Sequence, residues 1–178
     1  ITARTRIKSE AEATDELWHE IRNAYRTRRI LTGTLDGIEQ TAGGKTLATV
    51  SFRGFRIAIP IREMLVLEDR MPSGRAYADY MNRLNRILGT MLGAEIDFIV
   101  KGIDSTTHSA VASRREAMLR KRQTFYLGKD VSGNPYIYPG RLVEARVIAV
   151  AEKVLRVEAF GIECAIFARD LSWQWVSD

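Results

Sequence analysis

One cysteine, Cys164, and two histidines, His19 and His108, are too few to fill a tetrahedral Cys/His zinc site. A lone cysteine closes no disulfide within the chain, which fits a reducing, cytoplasmic compartment. Its apolar neighbours Ile162, Ala165, Ile166 and Phe167 predict a buried structural thiol, not a reactive one. No apolar run approaches the roughly 20 residues that a membrane-spanning helix needs. The opening Ile1-Thr2-Ala3-Arg4 carries neither a signal-peptide core nor an initiator methionine, so an excerpt of a longer protein is expected. Gly43-Gly44-Lys45-Thr46 has the end of a phosphate loop without its beginning: Glu39 stands in the pattern's place and a strand follows, so the segment reads as a hairpin turn. No Ser/His/Asp arrangement is suggested by spacing. The chain is therefore expected to be no enzyme and to carry no cofactor or metal.

What the sequence does have is an excess of positive charge, 27 Lys and Arg against 22 Asp and Glu, or +5 over 178 residues, which favours polyanionic partners. Ser9 to Arg26 reads as a helix with a Ser9/Glu12 capping box and Leu17, Ile21, Ala24 and Tyr25 on one face, Trp18 beside them. Arg29 to Pro60 then alternates in short strands, roughly 30–38, 46–53 and 55–60, punctuated by glycines. After the turn Met71-Pro72-Ser73-Gly74, the stripe Tyr77, Met81, Leu84, Leu88 and Met91 has helical spacing and is closed by Gly93, a helical insertion over 71–92. Two further strands, Ala94 to Ile103 and His108 to Ala112, flank the turn Asp104-Ser105-Thr106-Thr107, and a basic helix from Arg114 to about Gln123 follows with Ser113 as N-cap. Five strands are the inventory of an OB-fold barrel. Residues 124–138 read as a linker hairpin, after which strands resume at Leu142–Val150, Val154–Ala159 and Ile162–Phe167.

The chain repeats itself. Residues 46–64 lie without a gap on residues 153–171, pairing Val50 with Val157, Gly54 with Gly161 and Ala58 with Ala165, and Gly33-Thr34-Leu35 matches Ala145-Arg146-Val147 upstream. The predicted fold is mainly β with added helices. It comprises an N-terminal helix (1–27), a five-stranded OB barrel (28–123) and, past the linker, a second, truncated OB-like β unit (139–178) with no counterpart of strands four and five.

The run Gly93-Ala94-Glu95-Ile96-Asp97-Phe98-Ile99-Val100-Lys101-Gly102-Ile103-Asp104 followed by Val111-Ala112-Ser113-Arg114-Arg115-Glu116-Ala117 resembles the fourth strand, Asp-led turn and closing segment of the ribosomal protein S-one RNA-binding repeat. Val50 to Pro60 with Glu63-Met64 is similar to that family's second and third strands. The resemblance implies an OB barrel that holds single-stranded RNA, or single-stranded DNA, in a cytoplasmic protein of bacterial or phage type. Alternation exposes Arg53 and Arg56 beside inward Val50, Phe52, Ile57 and Ile59. The candidate contacts are Arg53, Arg56, Lys101, His108, Arg114 and Arg115, with Phe55 as the leading stacking surface. Blander alternatives stand beside them: His108 as a solvated turn residue, Phe55 as a barrel plug, the basic helix as a solvated face. In the second unit, Arg156, Glu158 and Glu163 occupy the places of Thr49, Ser51 and Arg56, and acidic groups there would repel phosphate, so the first barrel is expected to supply most of the affinity. Two other readings remain open. The barrels could dock a protein partner through the first helix, the second barrel or the Trp173/Trp175 end, or the chain could be an accessory region of a larger nucleic-acid enzyme.

Overall fold

The computed structural model describes residues 10–66 and 72–171. Strands β1 (Ile30–Gln40), β2 (Thr46–Phe52), β3 (Phe55–Pro60), β4 (Glu95–Asp104) and β5 (Ser109–Ser113) close a barrel in the order β1-β2-β3-β5-β4, with β4 returning to β1. Every pairing is antiparallel except β3 with β5. This is the OB strand order. Leu31, Leu35, Val50, Phe52, Ile57, Ile59, Ile96, Phe98 and Val100 alternate inward and are buried. At Gly33, an inward position of β1, an added Cβ would lie 2.7 Å from the Ser51 carbonyl and 2.8 Å from Val50, so the tight β1–β2 approach requires glycine.

A helix plugs each end. Helix α1 (Glu10–Thr27) seats Trp18, Ile21 and Ala24 at the end carrying the β2–β3 and β4–β5 turns, so its apolar face is spent on its own barrel. The capping box predicted for it rests on Ser9, outside the described residues. The short α2 (Ile61–Met64) buries Ile61 and Met64, and α3 (Arg75–Gly89) brings Leu84 and Leu88, with Met91 just beyond, to the β1–β2 end. Helix α3 ends at Thr90, whose N–H donates to the Arg86 carbonyl, not at Gly93. Gly93, at φ +84°, instead turns the chain into β4 and donates its N–H to Leu35 O at 2.7 Å. Helix α4 (Arg114–Phe125) starts as expected, with Ser113 Oγ accepting the Glu116 N–H at 2.9 Å. The linker folds at Asp130, whose carboxylate accepts the N–H groups of Ser132 and Asn134 at 2.8 and 2.9 Å.

Strands β6 (Arg146–Ala151), β7 (Val154–Ala159) and β8 (Ile162–Phe167) form a separate three-stranded antiparallel sheet, and a 3-10 turn (Ala168–Asp170) stands where α2 stands in the first unit. The repeat is present in backbone detail. The Arg53-Gly54 turn, at φ 49° and 91°, is matched by Phe160-Gly161 at 51° and 85°. The bulge that faces Leu35 and Gly37 with Val50 and Thr49 recurs where Val147 and Ala149 face Val157 and Arg156. Residues 142–145, expected as strand, precede β6 as irregular chain without a partner strand.

A further expectation is overturned by this architecture. Cys164 is exposed, not buried. It matches Ile57, a barrel-interior position, but among the described residues no strand covers that side of the second sheet. Val147 and Val150, which match Leu35 and Ile38, are likewise 46% and 73% exposed.

Candidate nucleic-acid interface

The outer face of β1, β2, β3 and β5 presents short side chains. The register sets Thr34 beside Ser51 and Ser51 beside Arg56, then Gly37 beside Thr49, Thr49 beside Ala58 and Ala58 beside Val111. Along β1 and β2 this face opens into a groove of about 450 Å³ lined by Thr32, Gly33, Thr34, Ser51, Arg29 and Arg53, with Glu20 and Glu95 at its margins. Short polar residues leave room for a chain to lie across the strands.

Arg53 and Arg56 stand on this face, their side chains 61% and 66% exposed. Arg53 donates to Glu20 at 2.7 Å and Arg56 to Glu39. Such exposed pairs stabilise by about 0–1 kcal/mol, so a phosphate competes with them on near-equal terms. Lys101, the bulged residue of β4 beside β5, pairs with Glu116, and its side chain is 43% exposed. Arg115 is half-buried at the start of α4, with no ion pair among the described residues.

Two candidates take the blander alternative, and a third sits elsewhere than the sequence reading put it. Phe55 is partly buried against the core, with the Trp18 ring 5.8 Å away, so it plugs the barrel end and does not offer an open face for stacking. His108 is exposed at φ 48° on the β4–β5 turn, and the Trp18 ring meets it edge-on at 5.0 Å. Arg114 departs furthest: its side chain has no exposed surface. It donates to Met64 O at 3.0 Å, to Glu163 at 2.8 Å and to Glu158. A guanidinium so enclosed is not available to phosphate, and Arg114 is corrected from contact residue to internal tie. Much of the basic helix is spent likewise: Lys121 pairs with Asp97, Arg120 donates to Arg28 O, and Arg122 donates to Gly161 O at 2.5 Å.

The second unit turns its own equivalent face inward. Glu158 and Glu163, matching Ser51 and Arg56, grip Arg114, and Arg146, matching Thr34, donates to Asp97 at 2.9 Å. The acidic residues that looked repulsive toward phosphate thus close the joint between the units. Asp97 is the other half of that joint, taking Thr32 Oγ1 at 2.6 Å, Lys121 and Arg146. Burial alone would raise its pKa, but the hydrogen bonds from Lys121, Thr32 and Arg146 outweigh that and hold the carboxyl below its ordinary range. Asp104, leading the β4–β5 turn, is lowered by accepting the Thr106 N–H at 2.8 Å and by its contacts with Thr107.

Sequence reasoning missed Glu20 and Trp18 as neighbours of the candidate residues, because helical periodicity marks which face is buried and not what it meets. No helix among the described residues is long and apolar enough to cross a membrane. No protein-family model matches the chain, and no curated protein matches it.

Proposed function

We propose that the chain is a non-enzymatic, cytoplasmic RNA-binding protein of the ribosomal protein S-one type, which holds single-stranded RNA on the outer face of its complete barrel. The carrying observation is the pair Arg53 and Arg56, exposed beside the floor of Thr34, Ser51 and Ala58. Lys101 and Arg115 extend the positive margin. Phe55 and Trp18 pack against each other, so affinity rests on phosphate contacts far more than on base stacking, and sequence preference is weak. Phosphate contacts do not read the 2′-hydroxyl, and single-stranded DNA is expected to bind as well.

The test is titration of a mixed-sequence single-stranded RNA at several salt concentrations. Each phosphate contact on a single strand contributes a slope of about −0.7 in log K against log salt. Arg53→Glu/Arg56→Glu is expected to weaken binding at least tenfold at low salt and to flatten that slope by about 1.4. A wild-type chain that binds no RNA even at low salt would overturn the proposal.

A further inference from the structure

Glu20 lies on α1 between buried Trp18 and buried Ile21, so its backbone is fixed over the groove at the β2–β3 end of the barrel. Its two carboxylate oxygens go to different arginines: Oε1 accepts from Arg29 Nη2 at 2.9 Å and Oε2 from Arg53 Nη1 at 2.7 Å. Both guanidiniums are more than half exposed, while the carboxylate is 25% exposed. Two non-bridging oxygens of a phosphodiester would divide between the same two donors in the same manner. The groove continues from this point along Thr32, Thr34 and Ser51, short residues beside which a sugar-phosphate chain has room.

We infer that the gap between Arg29 and Arg53 is a phosphate subsite of the RNA interface, and that Glu20 fills it in the free protein as an internal competitor which sets how tightly RNA is held. The inference rests on the RNA reading above. An incoming phosphate takes the two guanidiniums, and the displaced carboxylate, tethered to a fixed helix, stays close enough to repel it. The fold thus keeps affinity moderate at a site whose cations would otherwise be free.

Glu20→Gln keeps the shape and removes the charge. It is expected to raise affinity for a mixed-sequence single-stranded RNA roughly three- to tenfold at low salt, the gain shrinking as salt rises, and to steepen the salt slope by about 0.7. Glu152→Gln changes the net charge equally at a residue 79% exposed in the second unit, and is expected to leave affinity within about twofold. Adding Arg29→Gln to Glu20→Gln is expected to remove the gain. Thermal melts of each variant check that α1 remains docked. If RNA binds through Arg53 and Arg56 but Glu20→Gln matches the wild type, or gains no more than Glu152→Gln, the subsite is overturned and the RNA reading stands. If neither the wild type nor Glu20→Gln binds RNA, the RNA reading fails and the subsite with it.

Discussion

A guanidinium with no exposed surface must have its charge met inside the fold, and Arg114 meets it with Glu158, Glu163 and the Met64 carbonyl. Removing one partner of a buried ion pair typically costs about 3–5 kcal/mol, because the other charge is stranded. Arg114→Met is expected to lower the unfolding free energy measured in urea by about that much, with part recovered on adding Glu158→Gln, and to leave the RNA affinity of the folded protein unchanged. Asp97 makes a pH-dependent counterpart. Its folded pKa is depressed, so it contributes stability above its unfolded value of about 3.9 and loses it as pH falls through the lower folded value. Asp97→Asn is therefore expected to be clearly less stable than the wild type at neutral pH, with the gap in urea midpoints closing below about pH 4. At this scale the sequence was only partly legible. Alternation along β3 identified Arg56 as exposed, but a basic run reads alike whether its cations face water or a carboxylate 44 residues away, as Arg114 and Glu158 do. The signal that existed was the acidic pair itself, set at outward positions of a basic protein.

Among elements, the two β2–β3-type turns make a controlled comparison, since Gly54 and Gly161 occupy matching places at φ +91° and +85°. Alanine at either position adopts a left-handed backbone at a cost of about 1–2 kcal/mol. At Gly54 nothing lies within 4 Å of an added Cβ, whereas at Gly161 it would stand 2.2 Å from the Met118 carbonyl oxygen and push the second sheet off α4. Gly161→Ala is accordingly expected to destabilise by about 1–3 kcal/mol more than Gly54→Ala in paired thermal or urea denaturation. The strands themselves were legible, since period-two alternation and the internal repeat together bounded β7 and β8 to the residue. The start of β6 was not: Leu142 and Val143 have strand composition, but a strand needs a partner edge, and residues 142–145 have none. The apolar face of helix α1 was legible, while its target, the end of its own barrel, depended on long-range packing that no local pattern carries.

On the scale of the whole molecule, two related units have been put to different uses. The complete barrel keeps its outer face open, with Arg53 and Arg56 on it, while the second unit folds the matching face, with Glu158 and Glu163, onto α4 and β4. The repeat revealed both units, but not that one is joined to the other by the face they share. The missing fourth and fifth strands were legible, but the exposure of Cys164 was not, because its apolar neighbours read as buried. If RNA is held by the first barrel, the position of charge must matter and not its sum. The most direct measurement is therefore single-stranded RNA affinity, at low and moderate salt, for Arg53→Glu/Arg56→Glu beside the charge-matched Lys153→Glu/Arg169→Glu, whose side chains are 72% and 79% exposed on the second unit. The expected result is a loss of tenfold or more in the first variant and a change within about threefold in the second. Equal losses in the two, or a larger loss in the second, would contradict the account.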